Sequence, residues 1–118
     1  MAARYRQYQA LVLALKKHCP PAFPVSVVRI QLPKGLDGRC WKHGKTFKIE
    51  IDKTISEDRA IDVLIHEWAH ARAWNHMLDT AQTDDAFNKL SHDAAWGVAY
   101  AEVYCIYEQK FIADYARI

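Results

Sequence analysis

The sequence contains one closely spaced group of chemically reactive side chains, because residues 66–70 read His-Glu-Trp-Ala-His. A spacing of four residues places His66 and His70 one turn apart on the same face of a helix, where both imidazoles can bind a single ion. Glu67 is rotated by about 100° from His66 and cannot easily share that ligand position. Two histidines in this pattern are typical zinc ligands, and Glu67 is placed to act on a water molecule bound to the metal.

The chemistry expected of this group is hydrolysis. Zinc brings the pKa of water from near 15.7 down to about 7, and a neighbouring carboxylate can take the proton as the water attacks a carbonyl. The largely apolar run at 61–65 predicts that this helix is buried. Because burying two histidines and a carboxylate without partners costs free energy, a metal site is favoured over a chance match.

A third zinc ligand must come from elsewhere in the chain, since catalytic zinc usually has three protein ligands and one open position. We expect His92, because it opens a last helix that can pack against the motif helix with its first turn at the metal. His76 is an alternative at the metzincin spacing, six residues after His70, although Ala73 replaces the glycine of that pattern. Glu102 is the other alternative and corresponds to a gluzincin arrangement.

Hydrophobic periodicity predicts the elements that position these residues. Apolar residues at helical spacing predict a helix from Tyr5 to Lys17, ended by a Pro-Pro pair. The β-branched run from Val25 to Leu32 predicts a strand, and Lys45 to Asp52 alternates as a half-buried strand does. Arg39 to Lys42 is expected to pair with it through the turn at His43-Gly44. The prediction is a three-stranded, mostly antiparallel sheet.

Two further helices follow the predicted sheet. Ser56 is a suitable N-cap for the helix that carries the motif, and Ser91 is the expected N-cap of a last helix that runs to about Tyr115. Between them, Asp79 to Leu90 is polar and irregular, with one short turn expected around Asp85 to Lys89. The order of helix, strands and helices predicts an α+β fold.

Composition indicates an ordinary globular chain of 118 residues, with 51% hydrophobic and 25% charged residues. This length predicts one domain covering residues 1–118. The formal net charge of +2 is too small to indicate nucleic-acid binding by itself. Three scattered cysteines without a Cys-x-x-Cys pair are typical of reduced thiols, and no apolar run is long enough to cross a membrane, so we expect a cytoplasmic protein.

Most of the chain resembles the protease core of the SprT-like family of zincins, which includes the Spartan DNA-protein crosslink proteases. That family pairs a His-Glu-x-x-His helix with a His-Gly-x-x-aromatic segment that opens the next helix. The matching residues here are His66, Glu67, His70, His92 and Trp96. Asp93 stands where the family has glycine. The resemblance implies a minimal zincin fold and a protein substrate, which in that family is attached to DNA.

These observations predict a zinc metallopeptidase that cleaves a protein or peptide lying along the exposed edge of the sheet. Glu67 is the expected catalytic base, and the expected zinc ligands are His66, His70 and His92. DNA association is implied by the resemblance alone, and no membrane partner is expected. The main alternative is a zincin-fold protein that binds metal in a binding or regulatory role without peptidase activity. In a further alternative, hydrogen bonds satisfy the buried histidines and no metal binds.

Overall fold

The computed structural model describes residues 6–79 and 91–109, which form an α+β fold, so the predicted fold class is confirmed. Within these ranges, no helix has both the length and the apolar character needed to cross a bilayer. In chain order, the elements are α1 (Arg6–His18), β1 (Val25–Ile30), β2 (Gly38–His43), β3 (Thr46–Asp52), α2 (Glu57–Arg72), α3 (His76–Asp79) and α4 (Ala94–Tyr107).

The three strands form a mixed sheet in the order β1-β3-β2. The predicted hairpin of β2 and β3 is confirmed, and its tight turn uses Gly44 at φ 61°. β1 pairs with the other edge of β3 in parallel, with Val27 opposite Ile49. The sheet therefore has one pairing of each kind, whereas a mostly antiparallel sheet was expected. The reason is topological, because β2 does not pair with β1, and β3 returns from β2 into the place between them, parallel to β1.

One face of the sheet packs against α1 and α2. The alternation of β3 places Phe47, Ile49 and Ile51 on this face, where all three side chains are buried. Trp68 of α2 is fully buried, and its indole N–H donates to the backbone carbonyl of Cys19 at 2.8 Å. This hydrogen bond joins the middle of the motif helix to the end of α1. The motif residues therefore belong to a helix fixed by the core on one side.

The ends of α2 and α4 are set by their caps. Ser56 caps α2 as predicted, since its hydroxyl accepts a hydrogen bond from the Arg59 N–H at 3.2 Å. The predicted cap at Ser91 is wrong, because Asp93 caps α4 and accepts from the Trp96 N–H at 3.1 Å. Ser91 is instead buried, two residues before that cap.

The last helix was predicted to run to about Tyr115. Its described part is α-helical to Tyr107 and still helical at residues 108–109. Residues 110–118 lie outside the described residues, as does the short turn expected at residues 85–89.

β2 and α2 approach each other closely at Gly38, the first residue of β2. A Cβ atom at this position would overlap the Cγ1 atom of Val63 and lie 3.4 Å from the Cγ atom of Glu67. Only a residue without a side chain fits between the strand and the motif helix here. Gly38 therefore sets the distance between the sheet edge and Glu67.

Gly38→Ala is expected to destabilise the protein by about 1–3 kcal/mol, because the added methyl group must displace α2 from β2. Gly97→Ala is the matched control, since nothing lies within 4 Å of the methyl group that it adds to α4. The control should be neutral or up to about 1 kcal/mol more stable, because alanine favours a helix over glycine. Urea unfolding of both variants measures these differences, and a Gly38→Ala protein as stable as the native one would contradict the close packing.

Candidate metal centre

The two motif histidines point at a common position from one face of α2. Their Nε2 atoms lie 3.1 Å apart. Two imidazole nitrogens bound to one tetrahedral zinc ion at about 2.0–2.1 Å would be about 3.3–3.4 Å apart. The side chains of His66 and His70 are therefore already arranged within a few tenths of an ångström of the spacing that a shared metal ion requires.

His92 joins this pair from the segment that precedes α4. Its Nε2 atom lies 3.5 Å from the Nε2 atom of His66, and one ligand nitrogen from each of the three histidines lies within 4.8 Å of the other two. His92 does not open the helix as expected, because it stands one residue before the Asp93 cap. The structure nevertheless brings it to the motif, and the three histidines are close enough to bind one metal ion.

Packing between α2 and α4 holds the three imidazoles together. The indole ring of Trp96 lies 5.0 Å from the ring of His66, 5.6 Å from that of His70 and 5.1 Å from that of His92, between ring centroids. Its N–H also donates to the backbone carbonyl of His66 at 3.5 Å. Trp96 therefore lies against the whole cluster and covers one side of it with apolar surface.

Ser91 lies beside two of the three histidines, His70 and His92. Hydrogen bonding to the Ser91 backbone opposes the lowering of the His70 pKa by desolvation, and the Ser91 hydroxyl lies 3.4 Å from Nδ1 of His92. Histidines that bind metals usually make such a bond with the ring nitrogen that does not bind. For His92, a partner on the Nδ1 side lets the Nε2 atom face the other two histidines. Ser91 is buried at this contact and does not cap α4.

Desolvation favours the uncharged form of the two imidazoles on α2, those of His66 and His70. Desolvation lowers the pKa of His70 to about 3, and the neighbouring His66 and His92 rings lower it further. Desolvation and then His92 also lower the pKa of His66 from its usual 6.5. Only a neutral imidazole has a lone pair to give to a metal ion. The donor set thus fits a metal, because one ion accepts three lone pairs that hydrogen bonds among the rings cannot all satisfy.

Glu67 is buried beside this cluster, with only 9% of its surface exposed. Burial raises its pKa from 4.5 to about 7. Burial likewise raises the pKa of the Cys40 thiol on β2, and the nearby Glu67 carboxylate raises it further. The carboxyl group therefore lies between α2 and β2 in surroundings that make it an effective proton acceptor near neutral pH.

An open cleft of about 520 Å³ leads to His66 and Glu67. Asp37 and Arg59 form an ion pair at 2.8 Å on its wall. Sequence reasoning missed both of these residues, together with Gly38 and Asp62. One signal was available, since Asp62 stands four residues before His66 on the same helix face. The cleft is lined by Gly35, Asp37, Gly38, Arg59, Asp62, Val63, His66, Glu67 and Tyr100.

The other two candidates for the third ligand have different outcomes. Glu102 is exposed and lies 3.5 Å from Arg72, in an ion pair outside the histidine cluster. His76 begins the short helix α3, but its side chain lies outside what the structure describes. Within the described residues, the histidine cluster is completed by His92 and not by Glu102.

Comparison of the chain with protein-family models, with curated proteins and with solved structures gives no match. The interpretation of the site therefore rests on the geometry of its own side chains.

His92→Ala is expected to weaken zinc binding at least roughly 100-fold, because even residues that only orient a ligand typically contribute 10- to 100-fold. Glu102→Gln is the matched control and should bind zinc as the native protein does, since its side chain contacts Arg72 instead. Competition with a chromophoric chelator measures both affinities. A larger loss in Glu102→Gln than in His92→Ala would contradict the assignment of His92.

Glu67→Gln is expected to change how the stability of the metal-free protein depends on pH. The folded-state pKa of Glu67 is raised from 4.5 to about 7, so the folded chain retains a proton that the unfolded chain has lost. Stability from this group is fully present below pH 4.5 and is lost as the pH rises through about 7. The Gln variant does not lose this stability with rising pH. In the native protein the loss is about 3 kcal/mol of the free energy of unfolding.

Urea unfolding in the presence of chelator, at about pH 5 and about pH 8, measures this effect in the two proteins. Relative to the native protein, Glu67→Gln should have a higher free energy of unfolding at about pH 8 than at about pH 5. An identical pH dependence for both would show that the carboxyl group is not desolvated.

Proposed function

We propose that this protein is a zinc-dependent peptidase in which His66, His70 and His92 hold the metal and Glu67 is the general base. The observation that carries the proposal is the position of one buried carboxyl group beside three converging imidazoles, at the end of an open cleft. A purely structural metal site has no need for such a carboxyl group or for access from solvent. A hydrolytic site needs both.

The donor set favours zinc over other common metals. Three neutral imidazoles suit a borderline-soft ion of tetrahedral preference, whereas Mg²⁺ and Ca²⁺ prefer oxygen ligands. Three protein ligands would leave one position of a tetrahedral ion for water or substrate. When bound, zinc polarises a carbonyl and lowers the pKa of water.

Glu67 supplies the proton transfers. Its carboxylate accepts a proton from the water molecule that attacks the peptide carbonyl, and the carboxylic acid then donates a proton to the leaving amine. Burial between α2 and β2 also keeps the carboxyl group from turning away toward solvent.

β2 offers a place for the substrate. It is one of the two edge strands of the sheet as described, and β3 pairs with it on one side only. An extended peptide can add to such an edge through backbone hydrogen bonds. The absence of a side chain at Gly38 keeps this end of the strand close to Glu67. A peptide paired with β2 would therefore pass beside the proposed base.

The resemblance to the SprT-like family agrees with this proposal. The residues that carry it, His66, Glu67, His70, His92 and Trp96, lie together in one cluster and its immediate wall. Because that family acts on proteins attached to DNA, DNA-bound proteins are among the first substrates to try. Unfolded proteins are the other class to try first. DNA association is part of the proposal on the basis of the resemblance alone.

Glu67→Gln is expected to lower peptide hydrolysis by roughly 10²-fold or more, because it keeps the size of the side chain but removes the base. Zinc content should remain equal to that of the native protein. Glu102→Gln serves as the control for loss of a carboxylate elsewhere and should cleave at the native rate. The assay follows cleavage of unfolded and DNA-bound proteins by mass spectrometry, with zinc measured in each sample.

Equal rates for Glu67→Gln and native protein would contradict the general-base assignment. Zinc-loaded, folded native protein that cleaves nothing across a broad panel of substrates would favour the metal-binding module without peptidase activity.

A further inference from the structure

The walls of the cleft carry more negative than positive charge. Three carboxyl groups line it, those of Asp37, Asp62 and Glu67, together with the single guanidinium group of Arg59. Arg59 donates to Asp37 through Nε and lies 2.8 Å from it through Nη2, so these two charges neutralise each other. Glu67 is assigned to proton transfer. Asp62 is the carboxylate that the proposed mechanism leaves without a role.

Asp62 is well placed to contact a substrate. It is exposed on α2, one turn before His66, and it lines the cleft. Within residues 6–79 and 91–109 it forms no ion pair, in contrast to Asp37. One helical turn is about 5.4 Å, and an extended peptide advances about 3.3 Å per residue. Asp62 is therefore within reach of a side chain no more than two residues from a bond cleaved at the metal.

Tyr100 of α4 lines the same cleft. Its ring is held between those of Trp96 and Tyr104, with centroid distances of 5.3 and 6.3 Å. A tyrosine ring attracts cations, and its apolar surface can pack against the methylene groups of a long side chain. The wall of the cleft thus carries both a carboxylate and an aromatic ring, which together suit a cationic side chain with an apolar stem.

We propose that Asp62 and Tyr100 bind a lysine or arginine side chain of the substrate, within two residues of the bond that is cleaved. This inference rests on the proposed peptidase function and names the substrate class for it. The carboxylate of Asp62 pairs with the cation, and the ring of Tyr100 packs along the methylene groups. An acidic side chain at the same position is repelled by Asp62 and receives no compensating charge from Arg59, which Asp37 already neutralises.

Matched fluorogenic peptides test this preference. They carry lysine, norleucine or glutamate at a single position near the cleaved bond and are otherwise identical. The native protein should cleave the lysine peptide with about tenfold higher kcat/KM than the norleucine peptide, and the glutamate peptide most slowly. Asp62→Asn should reduce the lysine-to-norleucine ratio to about twofold. Asp62→Lys should reverse the order of the lysine and glutamate peptides.

Asp58→Asn is the matched control, because Asp58 lies one turn farther from His66 on the same helix and does not line the cleft. It should keep the native lysine-to-norleucine ratio. A native ratio near one, or an equal fall in this ratio for Asp58→Asn and Asp62→Asn, would overturn the inference while leaving the peptidase proposal intact.

Binding to the zinc-loaded Glu67→Gln protein separates this inference from the peptidase proposal. Fluorescence anisotropy with the same three peptides, labelled at one end, should give the tightest binding for the lysine peptide. If the native protein cleaves no peptide but this order of affinity holds and depends on Asp62, the basic-residue site stands and the peptidase proposal fails. If the three peptides bind equally, the basic-residue site is contradicted whether or not cleavage occurs.

Discussion

Contact between Trp96 and the three imidazoles is the interaction on which the candidate site depends. His66 and His70 are brought together by the geometry of one helix, but His92 lies on a separate segment and reaches them only because α4 packs against α2. The Trp96 ring contacts all three histidines and its N–H reaches the His66 carbonyl. The N-cap at Asp93 starts α4 immediately after His92, so the direction of this helix and the position of the third imidazole are set together.

The site is built at the cost of burying groups that prefer water. Glu67 and His70 have pKa values shifted toward their uncharged forms, to about 7 and about 3, mainly by desolvation. In the metal-free protein these groups oppose folding over part of the pH range. A bound cation reverses this effect, because neutral imidazoles and a nearby carboxylate favour positive charge between them. Metal binding and folding are therefore expected to be strongly coupled, with the apolar core around Trp68 providing the independent stability.

Sequence predicts the parts of this structure that depend on local rules. The helical phase of His66 and His70 follows from their spacing, and the alternation in β3 follows from its residue pattern. Strand pairing is non-local, so the parallel alignment of β1 with β3 was not predicted. The choice of Asp93 over Ser91 as N-cap is also tertiary in origin. Both residues cap helices well in isolation, but Ser91 is buried and occupied with the histidines.

The coordination of zinc in the loaded protein tests the central claim most directly, and X-ray absorption spectroscopy at the zinc edge measures it. Three histidines predict three imidazole nitrogens at about 2.0–2.1 Å, one further light-atom ligand and no sulfur. A competing arrangement would use the Cys40 thiol of β2, whose pKa is raised by burial and further by the nearby Glu67 carboxylate. A sulfur ligand at about 2.3 Å, or fewer than three imidazole ligands, would contradict the three-histidine metal centre.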